Sequence, residues 1–311
     1  VVTAKSGEII FLNKSFEKIF KYNSAENKFY WEVIRNQEFC KLIEETAKTK
    51  NDNYKELEIN QKHYSCSFTY IATKQEVIAI LHDITELKAL DKIKKDIIAN
   101  VSHELRTPLT AIKGYIETIY EDANESQKHY LEVISRNTQR LINIINDLLT
   151  LSLIENADEK LLLEQINVVE FISDVQKLFE RRAIEKKINF VVSIEKNVPQ
   201  LKADPFKIEQ LLINLVDNAV KYTERGEIRI CVNFMDGYFN CVVEDTGIGI
   251  PNDHLDRIFE RFYVVDKSRS RESGGTGLGL SIVKHIVLLH NGTIDVKSTP
   301  RVGTKFIVKL P

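Results

Sequence analysis

The sequence lacks most of the features that would commit it to a special environment. Its 311 residues include four cysteines, Cys40, Cys66, Cys231 and Cys241, which lie far apart and form no Cys-x-x-Cys pair. That argues against a zinc site or a disulfide framework and fits a reducing cytosol. No apolar run approaches the roughly 20 residues needed to span a bilayer, and no secretory leader is evident. The formal net charge is −2, so nothing points to nucleic acid or an anionic membrane as the main partner. Neither an internal repeat nor a low-complexity tract is present. Methionine occurs once, at Met235, and Val1 already lies in what reads as a strand. The expectation is an excised cytoplasmic portion of a longer protein, whose membrane contact, if any, would run through a segment upstream of Val1.

What is present is an ordinary globular balance, 43% hydrophobic and 28% charged residues, over a length that predicts two domains, or three if one is small. The first stretch reads as a small α/β module. Glu8 to Asn13 is a short apolar run after the Ser6-Gly7 turn signal, and Phe16, Ile19 and Phe20 mark a helical turn or two. His63 to Tyr70 alternates, with Tyr64, Cys66, Phe68 and Tyr70 on one face, as in a half-buried strand. Val77 to Leu81 is continuously apolar, which predicts a strand covered on both faces. The module closes at Asp83-Ile84-Thr85.

A long helix is expected from about Glu86 to Asp122. Leu90, Ile97, Val101, Leu105, Ile112 and Ile116 fall in a stripe roughly 80° wide. The pattern stays in phase beyond Pro108, so that proline should kink the helix without ending it. A second helix follows near Asn124, with Gln127 placed for a capping box and a stripe of Leu131, Ile134, Leu141, Ile145 and Leu148. Two such narrow seams cannot cover each other completely, and a four-helix bundle made by two chains is the economical solution.

Within the first helix, Ser102 to Leu109 reads Ser-His-Glu-Leu-Arg-Thr-Pro-Leu. His103 lies about 160–200° round from the Val101/Leu105 seam and should face solvent. A neutral imidazole has a free lone pair near pH 7 and can act as a nucleophile. Glu104 can accept the proton of the other ring nitrogen, and Thr107 shares the face of His103 and could orient a water. A zinc-protease motif is excluded, because Thr107 stands where His-Glu-x-x-His needs its second histidine. Taken singly, an exposed His beside a Glu is an ordinary solvated helix face.

Further on, Asp204-Pro205 is a helix start. Ile208, Leu211, Leu212, Leu215 and Ala219 should face a core, while Asn214, Asn218 and Lys221 cluster on another face with Tyr222 beside them. Asparagine is a poor helix former, so two of them four apart need a reason. Their amide oxygens can ligate Mg2+, and Lys221 can neutralise phosphate charge. A strand then runs into Asp245-Thr246-Gly247-Ile248-Gly249-Ile250. Gly247 and Gly249 let the backbone approach a flat ligand, and the Asp245 carboxylate can accept a hydrogen bond from an adenine amino group. Finally, the loop Gly274, Gly275, Thr276, Gly277, Leu278, Gly279 and Leu280 leads into a helix from Ser281 to His290, closed by Asn291-Gly292. Backbone N–H groups there make an anion site. It is neither a P-loop nor a dinucleotide loop.

Together these segments resemble the sensor histidine kinases. The octapeptide around His103 is similar to their H-box, Asn214 to Thr223 to the N-box, Asp245 to Ile250 to the G1 box, Arg257 to Asp266 to the F-box and Gly275 to Leu280 to the G2 box. The first module resembles a PAS sensor domain trimmed at its start, and the whole pattern is close to the phosphate-sensing type. The resemblance implies a multidomain α+β protein. Its parts would be a small PAS-like α/β sensor (1–85), an antiparallel helical hairpin forming a four-helix bundle in a dimer (86–157) and a GHKL-type α/β sandwich that binds ATP (158–311). It implies ATP and Mg2+ as ligands, Asn218 as a metal ligand, a homodimer, and a response regulator receiver domain as partner. It also implies His103 as phosphoacceptor, Glu104 as base, and Thr107 as a residue for dephosphorylating the regulator. The sequence departs from the family where many members carry an arginine that can reach the γ-phosphate, since Val264 stands there. Arg261, or Lys267, Arg269 or Arg271 in the following lid, would have to replace that cation.

Overall fold

The computed structural model describes residues 2–3, 7–21, 28–154, 161–196, 198–266 and 275–311. The chain divides into two compact units, Val1–Asp96 and Ile97–Pro311. No helix among the described residues is long and apolar enough to cross a membrane.

Among the described residues before Thr85, the first unit is a five-stranded sheet with three helices. Its strands are β1 (Val2–Thr3), β2 (Ile9–Phe11), β3 (Asn53–Ile59), β4 (Lys62–Ile71) and β5 (Glu76–Asp83), and its helices α1 (Lys14–Phe20), α2 (Tyr30–Val33) and α3 (Gln37–Thr49). The order across the sheet is β2-β1-β5-β4-β3, with every pair antiparallel. Tyr64, Cys66 and Phe68 of β4 are buried together with Phe16 and Phe39, as the alternation predicted. Burial pushes the Cys66 thiol up to about 12. The expected double cover of β5 is corrected: Val77 and Ala79 face this core, but Ile80 on the other face is 61% exposed. Among the described residues this continuous apolar run is therefore a half-buried strand, with one face in the core and Ile80 open on the other. At the end of the sheet, Asp83 Oδ1 accepts from Thr85 N at 3.0 Å and His63 N donates to Thr85 Oγ1 at 2.9 Å. The Thr85 bonds, with that from Lys62, hold the Asp83 carboxyl down at about 2. The Ser6 half of the predicted turn lies outside the described residues.

Helix α4 (Thr85–Asp122) continues through Pro108, and α5 (Glu125–Ile154) follows after two residues. The capping box forms: Gln127 N donates to Asn124 Oδ1 and Asn124 N to Gln127 Oε1, both at 3.0 Å. The face that α4 turns toward α5 is not its most apolar one. Ser102 and Ile116 are buried, while Arg106 donates to Asn146 Oδ1 (2.7 Å), Lys113 to Gln139 (3.0 Å) and Tyr120 to Glu132 (2.9 Å). By helical geometry this face is roughly 90° round from the Val101/Leu105 stripe. Of that stripe, Ile116 is buried, and Leu90, Ile97, Val101, Leu105 and Ile112 stay exposed. Ile134 and Leu141 of α5 are exposed likewise. Each chain therefore keeps an open apolar seam beside a largely polar internal contact.

The remainder is a two-layer sandwich. A five-stranded sheet in the order β11-β12-β10-β9-β7 is built from β7 (Ile188–Ile194), β9 (Gly226–Met235), β10 (Tyr238–Asp245), β11 (Thr293–Thr299) and β12 (Gly303–Leu310), and only the β7–β9 pair is parallel. A short pair, β6 (Glu164–Ile166) with β8 (Leu201–Ala203), lies apart. Helices α6 (Val168–Glu185), α7 (Pro205–Tyr222) and α9 (Gly279–Leu289) pack on the sheet, and α8 (Asn252–Leu255) is a single turn. Ile208, Leu211, Leu212, Leu215 and Ala219 are buried as predicted, each large side chain contributing about 1.5–3 kcal/mol. Asp204 caps α7 by accepting from Lys207 N, and Pro205 occupies its first turn. The helix α9 ends in a Schellman motif in which Asn291 takes the left-handed conformation (φ 54°) and Gly292 N donates to Val287 O.

Buried His290 ties the two helix termini together. Its Nε2 accepts from Asp204 N at 3.1 Å, and its Nδ1, 2.9 Å from Ile286 O, is then the protonated nitrogen. Replacing His290 by leucine leaves the Asp204 amide without an acceptor. The expected result is a loss of about 1–3 kcal/mol, read as a lower midpoint in chemical or thermal unfolding.

Candidate active site

A cavity of about 420 Å³ opens between α7, the Gly-rich segments and α5, a size suited to a small-molecule ligand. From α7 it receives Asn214, Asn218, Lys221 and Tyr222, together with Ile213 and Asp217. These positions recur every three or four residues, opposite the apolar face that fixes the helix on the sheet. Asn214 Nδ2 donates back to Gln210 O at 2.8 Å, which leaves its oxygen facing Gly279: a Cβ there would sit 2.6 Å from Asn214 Oδ1. Burial lowers the Lys221 pKa, Asp217 opposes that shift, and Arg140 and Arg182 add to it.

Asp245 closes the inner end. Its Oδ1 accepts from Gly247 N at 2.8 Å, yet burial dominates and pushes the carboxyl up to about 6. Ile248, Gly249 and Ile250 follow along the wall, facing Thr304 and Phe306 of β12. Gly249 has φ +68°, and a Cβ would lie 2.1 Å from Thr299 O, so this position requires glycine. On the other side lie Ile258, Tyr263, Val264, Val265 and Asp266, then Gly275, Thr276, Gly277, Gly279 and Leu280 at the start of α9. Phe262 adopts φ 60° beside Gly277, a conformation that costs a bulky side chain about 1–2 kcal/mol. Such strain gathers where two loops must meet in one geometry.

Most of the expected nucleotide-site residues thus come together. Three stand off the wall. Leu278 is fully buried in the core beneath the loop, Gly247 supports Asp245 from behind, and Arg261 is exposed and outside the lining. Lys267, Arg269, Arg271 and Gly274 lie outside the described residues. Among the described lining residues, Lys221 is the one cation, against Asp147, Asp217, Asp245 and Asp266.

His103, Glu104 and Thr107 are exposed on α4 and do not line the cavity. Thr107 Oγ1 points back to His103 O at 3.4 Å. What sequence reasoning missed is that α5 supplies cavity wall, through Asn143, Asn146 and Asp147. The signal was available: three poor helix formers at spacings of three and four on one face, as on α7. Because Asn146 also accepts from Arg106, the cavity lies level with the segment that carries His103.

No group of three or more His, Cys, Asp or Glu among the described residues is placed to hold an ion. The side-chain oxygens of Asn214 and Asn218 fit a magnesium ion that takes most of its ligands from phosphate and water.

Residues 1–86 match the PAS domain model, 93–157 the His Kinase A (phospho-acceptor) domain, and 203–311 the histidine kinase-, DNA gyrase B- and HSP90-like ATPase domain. The chain belongs to the sensor histidine kinases. It is 40% identical over 240 residues to the Sensor protein kinase WalK of Staphylococcus aureus, covering 75% of this chain and 57% of that protein. A WalK of the Newman strain is 35% identical over 326 residues, covering 100% of this chain and 53% of the relative. The chain thus spans about half the length of the curated relatives it matches. Among solved structures, full-length ShkA in complex with AMPPNP superposes with a TM-score of 0.59 at 29% identity, over 70% of this chain and 45% of that one. Histidine kinase ThkA in complex with the response regulator protein TrrA gives 0.52 at 26%, over 100% and 94%.

Proposed function

We propose that this chain is the signalling and catalytic portion of a two-component sensor kinase that phosphorylates itself on His103 and passes the phosphoryl group to a response regulator. The observation that carries this reading is the cavity itself. An adenine-compatible carboxylate, a lysine, two asparagines and a Gly-rich helix N-terminus converge there, against the partner helix of the one bearing His103. The AMPPNP complex of ShkA and the regulator complex of ThkA support the ligand and the partner.

In this reading ATP places its adenine amino group on Asp245 and its phosphates along Lys221 and residues 275–280. Bound Mg2+, held partly by Asn218, would spread phosphate charge. A ring nitrogen of His103 attacks the γ-phosphorus in line, the N–P bond forms, the bond to the bridging oxygen breaks, and ADP leaves. Glu104 takes up the proton of the other ring nitrogen. The resulting phosphoramidate is labile enough to transfer to an aspartate of the regulator, and Thr107 orients water for the reverse, dephosphorylating activity. Since His103 is outside the cavity wall, attack requires the ATP-binding part to move along the hairpin. Residues 1–85 serve as sensor, 86–157 as dimerisation and acceptor segment, with the open apolar seams joined between two chains, and 158–311 as the nucleotide domain. The protein would act on the cytoplasmic side of a membrane-anchored parent.

Incubation of the chain with γ-labelled ATP and Mg2+ tests this. Acid-labile, alkali-stable label on the protein is expected; AMPPNP binding without any label would replace the kinase reading with that of a nucleotide-binding scaffold.

A further inference from the structure

The α5 helix holds the Gly-rich loop as well as forming cavity wall. Thr276 Oγ1 donates to Asp147 Oδ2 at 2.6 Å, and two turns earlier Arg140 Nε donates to Gly275 O at 3.3 Å. Asp147 belongs to the cavity wall, as do Asp217 and Lys221. Its carboxyl is pushed up by burial, pulled back by the Thr276 bond and raised again by the Asp217 charge. A carboxylate is therefore seated at the anion-binding loop, on the hydroxyl of one of its residues.

Resting on the nucleotide reading above, we propose that α5 is a latch: Asp147 occupies Thr276 and sets a negative charge where the nucleotide phosphates bind, so that α5 docking and phosphate binding oppose each other. Thr276 has one hydroxyl proton, and it cannot serve a carboxylate and a phosphate together. Like charges in a partly desolvated space raise the opposition further. The geometry allows release without loss of the fold. Nearer its C-terminus α5 is held separately, where Gln210 Nε2 donates to Thr150 Oγ1 at 3.2 Å and His285 Nε2 lies 2.9 Å from Ile154 O. Leu151 and Ile154 there are buried in the core of the sandwich. The segment from Arg140 to Asp147 can swing away from the loop about an end that stays packed. Any signal that shifts the hairpin then changes access to the nucleotide site.

The test is calorimetric titration of Mg2+ and AMPPNP into the whole chain and its Asp147→Ala and Asp147→Asn variants. Removing the charge is expected to tighten binding roughly tenfold, equivalent to about 1.4 kcal/mol. Hydrogen exchange of residues 140–147 should rise when AMPPNP binds the unaltered protein, and should already be high in Asp147→Ala without nucleotide. Equal affinity in all three proteins, or exchange that nucleotide leaves unchanged, overturns the latch alone. Absence of binding to any of them overturns the nucleotide reading and the latch with it.

Discussion

Glutamine in place of His103 is expected to abolish labelling from γ-labelled ATP while leaving AMPPNP affinity unchanged. The amide of glutamine matches imidazole in length and can hydrogen-bond, but it has no basic lone pair with which to form an N–P bond. His103 is exposed and makes no part of the cavity wall, so its replacement removes no contact from the binding site. Nor does it belong to the face by which α4 meets α5, which includes Ser102, Arg106, Lys113, Ile116 and Tyr120. Binding and labelling, measured on the same preparation, should therefore separate completely. Residual acid-labile label in His103→Gln would place the acceptor elsewhere, and a parallel loss of AMPPNP binding would mean that His103 reaches the nucleotide.

The second large effect is expected at Asp245, where binding and stability should move in opposite directions. The folded protein holds this carboxyl at about 6 against an ordinary 3.8, chiefly through burial. Between those values the unfolded chain is ionised while the folded protein keeps its proton. Stability therefore falls as pH rises through this window and stays reduced above it, by roughly 3 kcal/mol for a shift of this size. Below the window the penalty disappears. Asp245→Asn removes the charge but keeps an oxygen for the Gly247 amide. The variant should be more stable than the unaltered protein at pH 7–8 by about 1–3 kcal/mol, with the gain fading toward pH 4. Its AMPPNP affinity should fall tenfold or more, because a carboxylate oxygen that would accept the adenine amino group becomes an NH2 donor. Melting curves across pH and calorimetry at pH 7.5 measure both. A gain in stability that does not vary with pH would show that burial of charge is not what sets the Asp245 environment.

How much of this was legible beforehand depends on whether the information is local. The polar face of α7 could be read because Asn214, Asn218 and Lys221 repeat with the helical period, and the period itself sorts them from Leu211 and Leu215. Gly249 and the loop before α9 could be read because a positive φ and close backbone approach exclude side chains at the position itself. Leu278 shows the limit of such reading: a motif marks six consecutive residues, but the chain must turn one of them inward to anchor the loop, and Leu278 is fully buried. The apolar run from Val77 to Leu81 shows another, since hydrophobicity alone does not say whether a second layer exists to cover Ile80.

The sequence by itself determined the kinds of chemistry available and their order along the chain: a nucleophilic imidazole on a helix, an amide-rich helix face, a carboxylate before a glycine turn and an anion-binding helix N-terminus. Each follows from side chains within one or two turns of one another. Only the tertiary structure decided how these meet. The β10–β12 register sets Thr304 opposite Asp245. The docking of α5 brings Asp147 to Thr276 across 129 residues, and the polar contact between α4 and α5 leaves the apolar seams open. Such pairings depend on packing and strand register summed over the whole fold, and no local window of the sequence contains that sum.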